Sequence, residues 1–90
     1  MTYRLFKSNQ FKRSYKKLQL SDKDEQAFID IAYKLLNGIT LDSKYRDHTL
    51  VGEYAQYREC HIKPDLLLIY KIEDDIVKLV DIGSHSELFD

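Results

Sequence analysis

The sequence predicts a single small α+β domain of order β-α-α-β-β-β, with an antiparallel sheet carrying a helical hairpin on one face. Three observations carry this expectation. Apolar residues recur at helical spacing in two stretches before Gly38. Three runs of strand length, the first of them alternating and polar, follow between Tyr57 and Ile82, joined by short polar links. A chain of 90 residues can build one core and not two, so residues 1–90 are read as one domain.

Tyr3 to Phe6 alternates in polarity and is expected as a short strand. Ser8 then caps a helix whose apolar residues Phe11, Tyr15 and Leu18 fall at i, i+4 and i+7. A break around Gln19 to Ser21 leads to a second helix. Ser21 to Asp24 resembles a capping box, and Phe28, Ile31, Ala32, Leu35 and Leu36 form one stripe. Asn37-Gly38 supplies a left-handed stop. Ile39 to Tyr54 has no sustained period and reads as a connecting loop, with room for a short strand or turn. The remaining strands are expected at Tyr57 to Ile62, Leu66 to Ile72 and Ile76 to Ile82. Their links, Lys63-Pro64-Asp65 and Glu73-Asp74-Asp75, are short enough to make them antiparallel neighbours.

Composition narrows the class of protein. An apolar content of 43% and a net charge of −1 fit a folded domain rather than a disordered segment. The longest apolar run, Leu66 to Tyr70, is too short to span a membrane, and Arg4 and Lys7 interrupt any signal-peptide core. A cytoplasmic location and no membrane partner are expected. Cys60, the single cysteine, has no internal partner for a disulfide. The small net charge conceals an asymmetry: residues 1–40 carry eight Lys or Arg against four Asp or Glu, and residues 41–90 carry six against eleven. Lys12, Arg13, Lys16 and Lys17 concentrate positive charge on the first helix, as a phosphate-rich partner requires and as a solvated helix face also permits.

Within the strand Tyr57 to Ile62, alternation sends Glu59 and His61 to one face and Arg58, Cys60 and Ile62 to the other. Cys60 and Ile62 suit the core, which leaves Glu59 and His61 side by side on the uncovered face. All three histidines lie in short polar pieces outside the helices: Asp47-His48, Glu59-Cys60-His61 and Gly83-Ser84-His85, with Asp65 in the first hairpin turn. Imidazole gives and takes protons near neutrality, so a cleft that gathered these groups would support acid–base chemistry. No His or Cys pair has the short spacing of a metal site, and Cys60 and His61 diverge in a strand. No metal is expected, and without a glycine-rich phosphate loop no cofactor is expected either.

Three segments together are more specific than any one: KYRDHTLVGEY (Lys44 to Tyr54), YRECHIKPDLLLIYKI (Tyr57 to Ile72) and IGSHSELF (Ile82 to Phe89). In order and spacing they resemble the YafQ branch of the RelE/ParE superfamily of bacterial type II toxins, and the N-terminal strand and helix pair fit the same RelE-like fold. The resemblance implies a metal-independent endoribonuclease that cleaves mRNA, generally in the ribosomal A site. It implies active-site roles for His48, Glu59, His61, Asp65, His85 and Phe89. From the chemistry that cleavage requires, His85 is assigned as general acid and Asp65 or His48 as base, with His61 and Arg58 to bind the phosphate, Glu59 to orient a histidine and Phe89 to stack on a base. The implied partners are a cognate antitoxin, mRNA and the ribosome, with operator DNA bound only through the antitoxin complex. Glu59 stands where the best-known relatives have Asp, Thr49 where Pro is frequent, and Leu66 where some members carry an aromatic residue. The alternative reading is a non-catalytic binding module on the same fold, acting on protein or nucleic-acid partners.

Overall fold

The computed structural model describes residues 2–89. Strand β1 (Arg4–Lys7) leads into helices α1 (Asn9–Leu18) and α2 (Asp22–Leu36). After a loop come β2 (His48–Thr49), β3 (Arg58–Lys63), β4 (Leu66–Glu73), β5 (Ile76–Gly83) and a short helix α3 (His85–Phe89). The sheet order is β1-β5-β4-β3-β2. The expected antiparallel arrangement holds from β2 to β5, but β1 joins β5 in parallel, so the sheet is mixed. No hairpin links β1 to its neighbour, and therefore no tight turn dictates its direction.

Both helices cover one face. Phe11 of α1 and Phe28, Ile31 and Leu35 of α2 share a buried cluster with Cys60, Ile62, Leu68, Tyr70, Val77, Leu79 and Ile82 from the strands. An aromatic trio joins the two helices: the Phe28 ring lies 5.9 Å from Phe11 and 5.3 Å from Tyr15. Left-handed Gln19 (φ 49) closes α1, and left-handed Gly38 (φ 68) follows α2, where glycine adopts that backbone at least cost. Among the described residues, no helix is long and apolar enough to cross a membrane.

The loop after α2 is better anchored than its lack of period suggests. Leu41 and Tyr45 are buried in the core cluster, and the Tyr45 hydroxyl donates to Asp30 at 2.9 Å. That hydrogen bond, and then Lys34 beside it, holds the Asp30 carboxyl below its ordinary range. The tether brings the chain to Arg46, whose left-handed backbone (φ 49) turns it into β2.

Ser8 illustrates how a cap positions a whole element. Its Oγ accepts from Phe11 N at 2.9 Å and donates to the Val80 carbonyl at 2.7 Å, tying the start of α1 to β5. Ser8→Ala removes both bonds and should cost about 1–2 kcal/mol in urea denaturation, with an unchanged m-value. A loss below about 0.3 kcal/mol would show that the cap does not hold the helix to the sheet.

Candidate active site

On the face opposite the helices, β2 and β3 bring three side chains together. His48 and Glu59 are directly paired in the antiparallel register, and His61 lies two residues further along β3. Glu59 is only 5% exposed, although it is ionisable and faces away from the core cluster. Its Oε1 lies 3.3 Å from His48 Nε2 and 3.6 Å from His61 Nε2, and the two imidazole rings are 6.3 Å apart. A buried carboxylate needs compensating partners, and here the two rings supply them.

The opposite edges of the two rings also meet acceptors. His48 Nδ1 is 2.6 Å from the Arg46 carbonyl, and His61 Nδ1 is 3.4 Å from the Pro64 carbonyl. Each imidazole is thus held between a backbone oxygen and the same carboxylate, with an acceptor for an N–H at either end. An extra residue in β3 between His61 and Lys63 shifts the register beside this site. Such bulges re-aim neighbouring side chains.

The second part of the site is built at the start of α3. Asp65, in the β3–β4 turn, accepts the backbone N–H of His85 at 3.3 Å. The His85 and Phe89 rings, one helical turn apart, lie 5.1 Å from each other, and Phe89 is 39% exposed. The sheet register connects the two parts, because His61 pairs with Leu67 and Leu67 pairs with Gly83. Two strand spacings separate the His61 and Gly83 backbones by about 10 Å. His85 follows Gly83 by two residues, so the two groups lie toward the same end of the sheet.

Helix α3, absent from the expected element order, has a local cause that the sequence contains. Ser84 and Glu87 form a reciprocal capping box: Glu87 N donates to Ser84 Oγ at 3.2 Å, and Ser84 N donates to Glu87 Oε1 at 2.8 Å. The bond from the Ser84 backbone is the main reason that the Glu87 carboxyl sits below its usual range. Gly83 allows the close approach. A Cβ there would lie 3.2 Å from Glu87 Oε1 and 3.5 Å from Leu88 Cδ2. His85 and Phe89 occupy one side of α3, while Glu87 and Leu88 line a cleft with Arg13 and Lys17 of α1.

The structure therefore brings together His48, Glu59 and His61, and joins Asp65 to His85. Arg58, expected to bind RNA, is directed elsewhere. It lies on the core side of β3, where it is paired with Asp47 and Tyr70. Alternation along β3 is the reason, because neighbours of Glu59 must point through the sheet. Lys12, Lys16 and Lys17 are exposed on α1, and Arg13 beside them holds Gln10 at 2.9 Å. Arg13 and Lys17 thus share a cleft with Glu87 and Leu88 and with none of the three histidines. Leu66 is 3% exposed within the core cluster, so this position offers no surface for a base. Cys60 is fully buried, and burial pushes its thiol up to about 12. Among the described residues, no group of three or more His, Cys, Asp or Glu side chains has a metal-holding arrangement.

Residues 3–90 match the family model described as the bacterial toxin of type II toxin–antitoxin system, YafQ. The mRNA interferase toxin YafQ of Escherichia coli K12 is 34% identical over 83 residues, which cover 91% of this chain and 90% of that protein. Among solved structures, the toxin in the E. coli DinJ-YafQ toxin–antitoxin complex superposes with a TM-score of 0.88 at 31% identity, covering 100% of both chains. A copper-bound mutant toxin from Helicobacter pylori gives a TM-score of 0.91 at 38% identity, covering 97% of this chain and 99% of that one.

Proposed function

The chain belongs to the YafQ family of bacterial toxins of type II toxin–antitoxin systems, and from that premise we propose that it cleaves mRNA at the ribosomal A site through its own acid–base groups. The single observation that carries this reading is Glu59, a buried carboxylate shared by His48 and His61 on the same sheet end as Asp65 and His85. A structural ion pair does not require two imidazoles on one carboxylate at an open face. In a proton-transfer site such a carboxylate orients both rings and favours their protonated forms.

In the proposed reaction the ribose 2′-oxygen attacks the adjacent phosphorus while a base removes its proton. The bond from phosphorus to the 5′-oxygen breaks, and an acid protonates the departing oxygen. His85, exposed at the start of α3, is the acid. His48 is the base once its Nε2, freed of its proton, exchanges Glu59 for the ribose hydroxyl, or Asp65 is, the latter also fixing the His85 backbone. His61, anchored at Nδ1 by the Pro64 carbonyl and with Nε2 3.6 Å from Glu59, beyond hydrogen-bond reach, donates that Nε2–H to the phosphate oxygens. Phe89 stacks against a base beside His85, the role that buried Leu66 does not provide. Transition-metal chelation that leaves Mg²⁺ in place should not alter the rate.

The E. coli relative was crystallised with an antitoxin, DinJ, and a cognate antitoxin is the partner proposed for this chain. The ribosome is proposed to be engaged through Lys12, Arg13, Lys16 and Lys17. Four phosphate contacts should weaken ribosome binding roughly 50-fold between about 50 and 200 mM salt. Replacing all four residues with Gln should flatten that slope in a sedimentation assay, and an unchanged slope would place the contact elsewhere.

The reading is tested by primer extension on a message translated with and without the purified chain. New 5′ ends within translated codons are expected. Their absence from an active translation mixture would overturn the assignment.

A further inference from the structure

A second set of contacts lies directly beneath the histidines, on the other side of the sheet. Asp47 immediately precedes His48, and its carboxylate is gripped from below. Arg58 Nε donates to Asp47 Oδ1 at 3.2 Å, and a second guanidinium nitrogen lies 3.2 Å from Oδ2, a two-pronged pairing. The Tyr70 hydroxyl donates to the same Oδ1 and accepts from Arg58 Nε at 3.3 Å. Tyr70 is 1% exposed and stands directly opposite Arg58 in the β3–β4 register. Burial, and then Asp47 itself, pushes the Tyr70 hydroxyl well up from its ordinary range, so it remains a donor. The hydrogen bond to Asp47 likewise favours the charged Arg58.

Strand β2 has only two residues, each with a single partner in the register, His48 with Glu59 and Thr49 with Arg58. So short a strand has little ladder to hold it. Successive residues point to opposite faces, so fixing Asp47 on the core side fixes where His48 emerges on the other. The Arg46 carbonyl, one residue before Asp47, meets His48 Nδ1 at 2.6 Å while Nε2 faces Glu59 at 3.3 Å.

We propose that Asp47, Arg58 and Tyr70 form a positioning clasp that reaches through the sheet to set the orientation and hydrogen-bonded tautomer of His48. Its catalytic consequence rests on the nuclease reading above, whereas its structural content does not. Arg58 contributes through its forked geometry, which a lysine ammonium lacks. Sheet alternation thereby gives one strand two tasks: Glu59 and His61 form the site, and Arg58 between Tyr57 and Glu59 holds the loop that delivers His48.

Two readouts decide the matter, both made with Tyr70→Phe, which removes one oxygen, and with Arg58→Lys. The first is the long-range ¹H–¹⁵N spectrum of the imidazoles in the free protein. The His48 ring signals should move in both variants while those of His85 stay in place; unmoved His48 signals would overturn the clasp. The second is single-turnover cleavage of ribosome-bound message. Tyr70→Phe should lower the rate about 10- to 100-fold with little change in KM, and should cause no further loss in a His48→Ala background. Losses that simply add would show that Tyr70 acts by another route. If the parental chain cuts no message, the nuclease reading fails and the spectra still judge the clasp. Should Tyr70→Phe fail to fold, Asp47→Asn gives both readouts.

Discussion

Replacing His85 with alanine should lower cleavage of translated message about 10²- to 10⁴-fold, the range lost when a general acid is removed. The same change should leave folding stability within about 0.5 kcal/mol of the parent, as for other exposed positions. The separation of the two effects follows from geometry. It is the backbone N–H of His85, not its ring, that donates to Asp65, and α3 is capped independently by Ser84 and Glu87. The imidazole is exposed and touches Phe89, so truncation leaves no buried group unpaired. Single-turnover kinetics and thermal melts of the same preparation test the pair of outcomes. Cleavage at the parental rate would remove His85 from the mechanism, and a large fall in stability would make it structural.

Glu59→Gln should cost about 10²-fold in cleavage and leave stability nearly level. The amide keeps the shape of the carboxylate but takes away the charge that both imidazoles face at 3.3 and 3.6 Å. Removing one member of a buried ion pair is usually harmful because the other charge is trapped. Here the His48 side chain is 49% exposed, so water can replace the lost partner. Burial of the carboxylate itself is unfavourable, and its removal offsets part of whatever is lost. A residue retained at some expense to stability and needed for rate is the mark of a site rather than of a core. A variant that is fully active, or one that is inactive only because it unfolds, would contradict this view of Glu59.

Much of the fold was legible where a period was sustained. The helical stripes of α1 and α2 and the three long strands follow directly from spacing, and the alternation of β3 placed Glu59 and His61 on one face. The direction of β1 was not legible, because pairing with β5 spans the whole chain and no turn enforces it. Strand β2 is two residues long and carries no period at all. Helix α3 was announced by Ser84 and Glu87 at capping-box spacing, a signal overshadowed by the motif around His85. The grouping of His48 with Glu59 came from resemblance alone, since eleven positions separate them and the two-residue strand that pairs them carries no period. Arg58 was correctly directed toward the core by alternation, but its partners Asp47 and Tyr70 depend on a register that composition does not encode.

The account depends on opposite protonation states being held at once by groups gathered toward one end of the sheet. The pH dependence of single-turnover cleavage, compared between the parent and His85→Ala, tests this most directly. The base must be deprotonated, so the rate should rise from the acid side. The acid must be protonated, so the parental rate should fall again on the alkaline side, giving a bell. In His85→Ala the alkaline fall should disappear while the acidic rise remains. A parental profile without a bell, or a variant that keeps both limbs, would contradict the account.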